Sequence, residues 1–183
     1  MAHTYGEELA EAKAASASPV RTVWATETFR AWLETNEPAS VPNFSVFIEE
    51  SAALGLKFEG SRSVSPSGGL RIIDALGRRL GTVSLFHFSG QGTSFEFNLI
   101  PMSRLSDDEW PAETAVESFL TELSSIPGLA EVGENLRSSR FTTRRPNVSL
   151  AALDPGSVRR GLQALSVLRG SGLTSDGNPS PFS

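Results

Sequence analysis

The spacing of apolar residues along this chain goes from helical to alternating and back to helical. In WATETFRAWLET, Phe29, Trp32 and Leu33 recur at helical spacing just after Trp24. This predicts a first helix, with Thr26 or Thr28 as its cap. NEPASVP reads as a loop, and FSVFIEESAAL predicts a second helix from Asn43, ended by Gly55 beyond its last turn. Phe44, Phe47, Ile48 and Ala52 are assigned to its buried face, and Glu49 and Glu50 to water.

Over residues 56–100 the period becomes two. LKFEGSRSVS, LRIIDAL, GTVSLFHFS and TSFEFNLIP are rich in β-branched and aromatic residues and are separated by PSGG, GRR and GQG. Short glycine-containing gaps favour hairpins over crossovers, so these runs predict a four-stranded antiparallel meander. Val83, Leu85 and His87 share one face of their strand, with Ser84, Phe86 and Phe88 on the other. Phe95, Phe97 and Leu99 likewise oppose Glu96 and Asn98.

The helical period then returns. LSDDEW predicts a helix start capped by Ser106, with Pro111 in its first turn and Ala115, Phe119, Leu120 and Leu123 as its apolar stripe. SIPGLAEVGENL reads as a turn followed by a short helix, and FTTRRPNVSLAAL as extended up to Pro146. DPGSVRRGLQALSVL predicts a last helix, capped by Asp154 and begun by Pro155, with Val158, Leu162, Leu165 and Leu168 apolar. The fold class is therefore α+β, with N-terminal and C-terminal helices packed on one face of the meander. Residues 1–20 are assigned to a short helix and a linker, 21–169 to a single domain, and 170–183 to a disordered Gly, Ser and Pro-rich tail.

Composition adds exclusions. With 183 residues and 39% hydrophobic content the chain suits one packed domain. It holds no cysteine, which removes disulfides, thiol nucleophiles, thiolate zinc sites and iron–sulfur clusters. No apolar run spans a membrane, and the acidic N-terminus lacks the apolar core of a secretory signal, so a soluble cytoplasmic protein with no membrane partner is expected.

Charge is uneven. Residues 1–135 carry 9 Lys and Arg against 19 Asp and Glu. Residues 136–169 carry seven arginines against Asp154 alone, in a chain of net charge −5. Four of these arginines fall within RSSRFTTRRPNVS, interleaved with hydroxyl residues that suit phosphate. The strip Arg137, Arg140, Arg144, Arg145, Arg159 and Arg160 has three readings: a solvated, locally paired surface, a subunit interface in a small homo-oligomeric structural protein, or a contact for an anionic partner. The expected function is a non-enzymatic binding protein whose arginine strip meets nucleic acid or an acidic protein surface.

Catalytic chemistry is sparsely supplied. His87, in mid-strand, has no partner legible in the sequence, and there is no G-x-S-x-G elbow or phosphate-binding loop. SGQGTS joins two strands and opens no helix. The alternative function is a metal-dependent nuclease or other hydrolase, in which Asp74 and Glu96, with Glu50 from the preceding helix, would hold Mg2+. An acidic helix residue followed by two strand acids resembles the restriction-type nuclease fold. That family normally places a lysine two residues after the second acid, where this chain has Asn98. The two functions separate on whether the acids or the arginines converge.

Overall fold

The computed structural model describes residues 20–143 and 146–170. It is an α+β arrangement of five helices and two antiparallel sheets. The strands are β1 (Thr22–Val23), β2 (Phe58–Gly60), β3 (Arg62–Ser63), β4 (Ser67–Ile73), β5 (Arg79–Phe88), β6 (Gly92–Asn98) and β7 (Asn147–Ser149). The helices are α1 (Thr26–Asn36), α2 (Val41–Ala53), α3 (Glu113–Ser125), α4 (Ala130–Ser138) and α5 (Pro155–Gly170). The predicted N-terminal helix and C-terminal tail lie outside the described residues, apart from the segment's last residue and Gly170.

The main sheet has five strands in the order β2-β4-β5-β6-β7, one more than the predicted meander. The first predicted run breaks at Ser61: β2 joins the main sheet, while β3 pairs with β1 in a two-stranded ribbon. The fifth strand, β7, comes from the segment after the arginines and pairs with β6, placing Val148 opposite Phe95. Three residues are too few for a periodic signal, so this pairing is decided by the neighbour and not by local pattern.

Alternation sets the two faces of the sheet. Leu70, Ile72, Val83, Leu85, Phe95 and Phe97 are fully buried and face the core. They join Phe29, Leu33, Phe44, Phe47, Phe119, Leu162 and Leu165 from the helices in one continuous cluster. Phe29 stacks on Phe44 at 5.1 Å, and Phe58 meets both rings edge-on at 6.0 Å. Gly60 lets β1 approach closely, because a Cβ there would sit 1.6 Å from the Trp24 carbonyl oxygen.

Helix ends correct several expectations. Neither Thr26 nor Thr28 caps α1: Ala25 holds the N-cap position without a side-chain bond, and the Thr28 hydroxyl donates backwards to the Ala25 and Val23 carbonyls. NEPASVP is not wholly loop, since Pro38–Ser40 form a 3-10 turn that runs into α2. On α2, Ala52 is exposed, and Asn43 and Ser51 are buried with Phe44 and Phe47. Gly55, at φ 68, follows α2 as predicted.

Ser106 does not open α3. Its hydroxyl donates to Glu109 Oε2 at 2.7 Å in a local turn, and the helix begins at Glu113. Pro111 disfavours the α conformation at Trp110, so the turn cannot propagate into a helix. Asp154 caps α5 as predicted: Oδ1 accepts the Ser157 N–H at 2.9 Å and Oδ2 its hydroxyl at 2.6 Å. The Ser157 hydroxyl and then its N–H hold the Asp154 carboxyl below its usual range.

Candidate functional site

The face of the sheet turned away from the core carries a trough of about 380 Å3, and none of the five helices contributes to its lining. Strand register arranges the outward residues in rows. Glu59, Gly69, Ser84, Glu96 and Asn147 form one row across five strands. Arg71, Thr82 and Asn98 form the next, and Ser67, Phe86, Ser94 and Ser149 the row on the other side. Gly69 makes the floor, because a Cβ there would lie 2.6 Å from the Val83 carbonyl oxygen.

Polar and apolar groups share this surface, and several polar ones are deep in it. Ser67, Ser94 and Glu96 are buried although they point away from the core. The Oδ1 of Asn98 is buried without a hydrogen-bond partner. Such an unsatisfied acceptor costs about 1–3 kcal/mol. Arg71 pairs with Glu59 at 3.0 Å, both well exposed. Arg79, beside Ile73 at the end of β5, is exposed and forms no ion pair among the described residues. At the other end the rings of Phe86 and Phe88 lie 4.6 Å apart at 50°.

The arginine segment meets this face at the β7 edge. The Phe97 N–H donates to the Pro146 carbonyl at 3.1 Å, and Asn147 lies opposite Glu96. Of the six arginines of the predicted strip, four lie among the described residues, and three of these pair with acids. Arg137 pairs with Glu117 at 3.3 Å and Glu134 at 3.4 Å. Arg159 lies 3.4 Å from Glu50, and Arg160 2.7 Å from Glu122. Arg140 is exposed at φ 49, followed by Phe141 at φ 63, a left-handed pair that turns the Phe141 ring into the core beside Trp110. Arg144 and Arg145 lie outside the described residues. The seventh arginine of the basic segment, Arg169, donates to the Leu54 carbonyl at 2.7 Å and so closes the end of α5.

The three candidate acids sit in three places. Asp74 is at the β4–β5 turn, where Oδ1 accepts the N–H groups of Leu76 and Arg78 at 2.9 and 2.8 Å, and Oδ2 accepts Arg78 Nε at 2.6 Å. Burial pushes its carboxyl up, yet the side-chain and backbone bonds from Arg78, the Leu76 N–H and the Arg78 charge together hold it below the usual range. Glu50, on α2, accepts from Gln163 at 2.9 Å and faces Arg159. Glu96 is on the outward face of β6. Among the described residues no three His, Cys, Asp or Glu side chains gather where a metal ion would be held.

His87 has an orienting partner invisible in the sequence. Its Nδ1 lies 2.7 Å from Glu37 Oε1, fifty residues away, and Trp32 meets its ring edge-on at 4.7 Å. Glu37 Oε2 also accepts the Thr93 N–H at 2.9 Å. The hydroxyl opposite His87 in register is Thr93, which is 1% exposed and buried without a partner. A nucleophile closed to substrate cannot act, so this cluster pins the end of α1 to the β5–β6 hairpin.

No family model, curated protein or solved structure matches the chain. The functional reading therefore rests on the geometry of these groups. Among the described residues no helix is long and apolar enough to cross a membrane.

Proposed function

We propose that this chain is a non-enzymatic binding protein, and that an anionic partner sits on the open face of its sheet. The observation that carries this reading is the glycine-floored trough, to whose lining none of the described helices contributes, with Arg79 exposed at one end and forming no ion pair among the described residues. The arginine segment supports it by entering the sheet at the β7 edge, so that a partner on this face passes close to it. The dispersal of Glu50, Asp74 and Glu96 supports binding over metal-assisted hydrolysis.

Labelled single- and double-stranded DNA and RNA and a labelled acidic peptide, titrated with the wild-type chain and with Ser84→Trp, test the proposal. The tryptophan fills the trough from its central strand. Fluorescence anisotropy is read at low and physiological salt, with and without Mg2+. The expected result is a probe bound in a salt-sensitive manner and released by Ser84→Trp, with the fold of the variant confirmed by circular dichroism. Binding that survives Ser84→Trp, or no binding of any probe, overturns the assignment of the face. Cleavage of a labelled strand only with Mg2+ overturns the non-enzymatic reading.

A further inference from the structure

We infer that the outer face of the β1–β3 ribbon is a docking surface for an acidic segment that carries apolar side chains, and that residues 5–11 of this chain are its occupant. The ribbon pairs Thr22 with Ser63 and Val23 with Arg62, and one further step sets Arg21 toward Val64. Side chains alternate across a strand, so Arg21, Val23, Arg62 and Val64 share one face. All four are exposed, the two valines at 58% and 51%, while Thr22, Ser61 and Ser63 are half-buried and Trp24 is buried. None of the four lines the trough, so this is a second surface.

The face is fixed from below. Trp24 donates its indole N–H to the Ser63 carbonyl at 3.1 Å and its backbone N–H to the Ser61 carbonyl at 2.9 Å. The Val23 carbonyl accepts the Thr28 hydroxyl at 3.1 Å, which ties the ribbon to α1. The register makes Arg21 and Arg62 diagonal neighbours, about 7–8 Å apart at the backbone. Neither makes an ion pair or a side-chain hydrogen bond among the described residues, although Glu27 is exposed in the first turn of α1.

Two unpaired cations interleaved with two exposed valines specify the chemistry of the occupant. The cations call for carboxylates or phosphates, and the valines for apolar side chains. A second copy of the same face would set arginine against arginine. Nucleic acid would answer the arginines and leave the valines against a sugar–phosphate surface.

Residues 1–19, which lie outside the described ones, carry both halves of that chemistry. They hold Glu7, Glu8 and Glu11 against Lys13, with Tyr5 and Leu9 four positions apart. The described chain starts at Val20, next to Arg21. Eight residues separate Glu11 from Val20, and a chain of that length reaches about 15 Å. Two residues of strand span about 7 Å, so the reach covers the ribbon face. Such a short tether sets an effective concentration in the millimolar range, which a free acidic partner has to exceed.

The test exploits the lack of native cysteine. Ala10→Cys and Ser65→Cys, introduced together in the full chain, stand beside Leu9 and Val64 and leave every residue of the two surfaces in place. The rate of internal disulfide formation in dilute, mildly oxidising solution is followed by mass spectrometry. The expected result is closure slowed about tenfold by Arg21→Ala with Arg62→Ala, the scale of two exposed ion pairs. Glu7→Gln, Glu8→Gln and Glu11→Gln together slow it as much, and Arg160→Ala leaves it unchanged. Circular dichroism confirms the fold of each variant.

Closure indifferent to both the arginine and the glutamate changes reports the tether alone and overturns the inference. A disulfide that forms between molecules in place of the internal one, and rises with concentration, makes the occupant the segment of another copy and also overturns it.

Discussion

Replacing Asp74 by alanine tests whether this acid is a fixture of the β4–β5 turn and not a metal ligand. Its side chain is fully buried and that of Arg78 is 17% exposed. The substitution removes acceptors for the N–H groups of Leu76 and Arg78 and for the Arg78 guanidinium. Each backbone bond is worth about 1 kcal/mol and the charged pair about 1.5–3 kcal/mol. Leu76 and Arg78 partly regain water, which brings the expected loss to about 2–3 kcal/mol. For a chain of this size that lowers Tm by about 5–10 °C. Arg78 also donates to the Glu109 carbonyl, so the turn before α3 loosens with it.

Urea unfolding followed by tryptophan fluorescence measures the loss. Asp74→Asn keeps an acceptor for the backbone and is expected to lose about half as much. The folded carboxyl titrates below its unfolded value of 3.8. Its contribution is therefore complete above about pH 4 and is lost as pH falls through the folded value. The gap between wild type and Asp74→Ala should narrow as pH falls below about 4. A gap under about 0.5 kcal/mol at pH 7, or one that stays constant into acid, refutes the account.

Gly60→Ala drives a Cβ into the Trp24 carbonyl, so it should destabilise the chain by about 2–4 kcal/mol and shift Trp24 fluorescence as the β1–β3 ribbon detaches. Glu37→Ala removes the acceptor shared by His87 and Thr93, and about 2 kcal/mol of stability should go with it. Hydrogen exchange should show the Thr93 amide opening sooner than its neighbours in β6. Arg160→Ala breaks an exposed pair with Glu122 and should change stability by less than about 1 kcal/mol in thermal unfolding.

Alternation along β5 and β6 was readable without coordinates, because a strand's period is a property of its own backbone. The same holds for the cap at Asp154, where the carboxylate and its two donors lie within three residues. By itself the sequence determined an α+β fold, the two faces of the central strands and the placing of Glu96 and Asn98 on the outward one. Only the tertiary structure decided that β7 adds a fifth strand and that the first run divides between two sheets. It also decided that His87 meets Glu37, and that Arg159 faces Glu50. Those contacts join residues fifty or more positions apart. Pairings of that range depend on which surfaces the core brings together, and no local pattern encodes them.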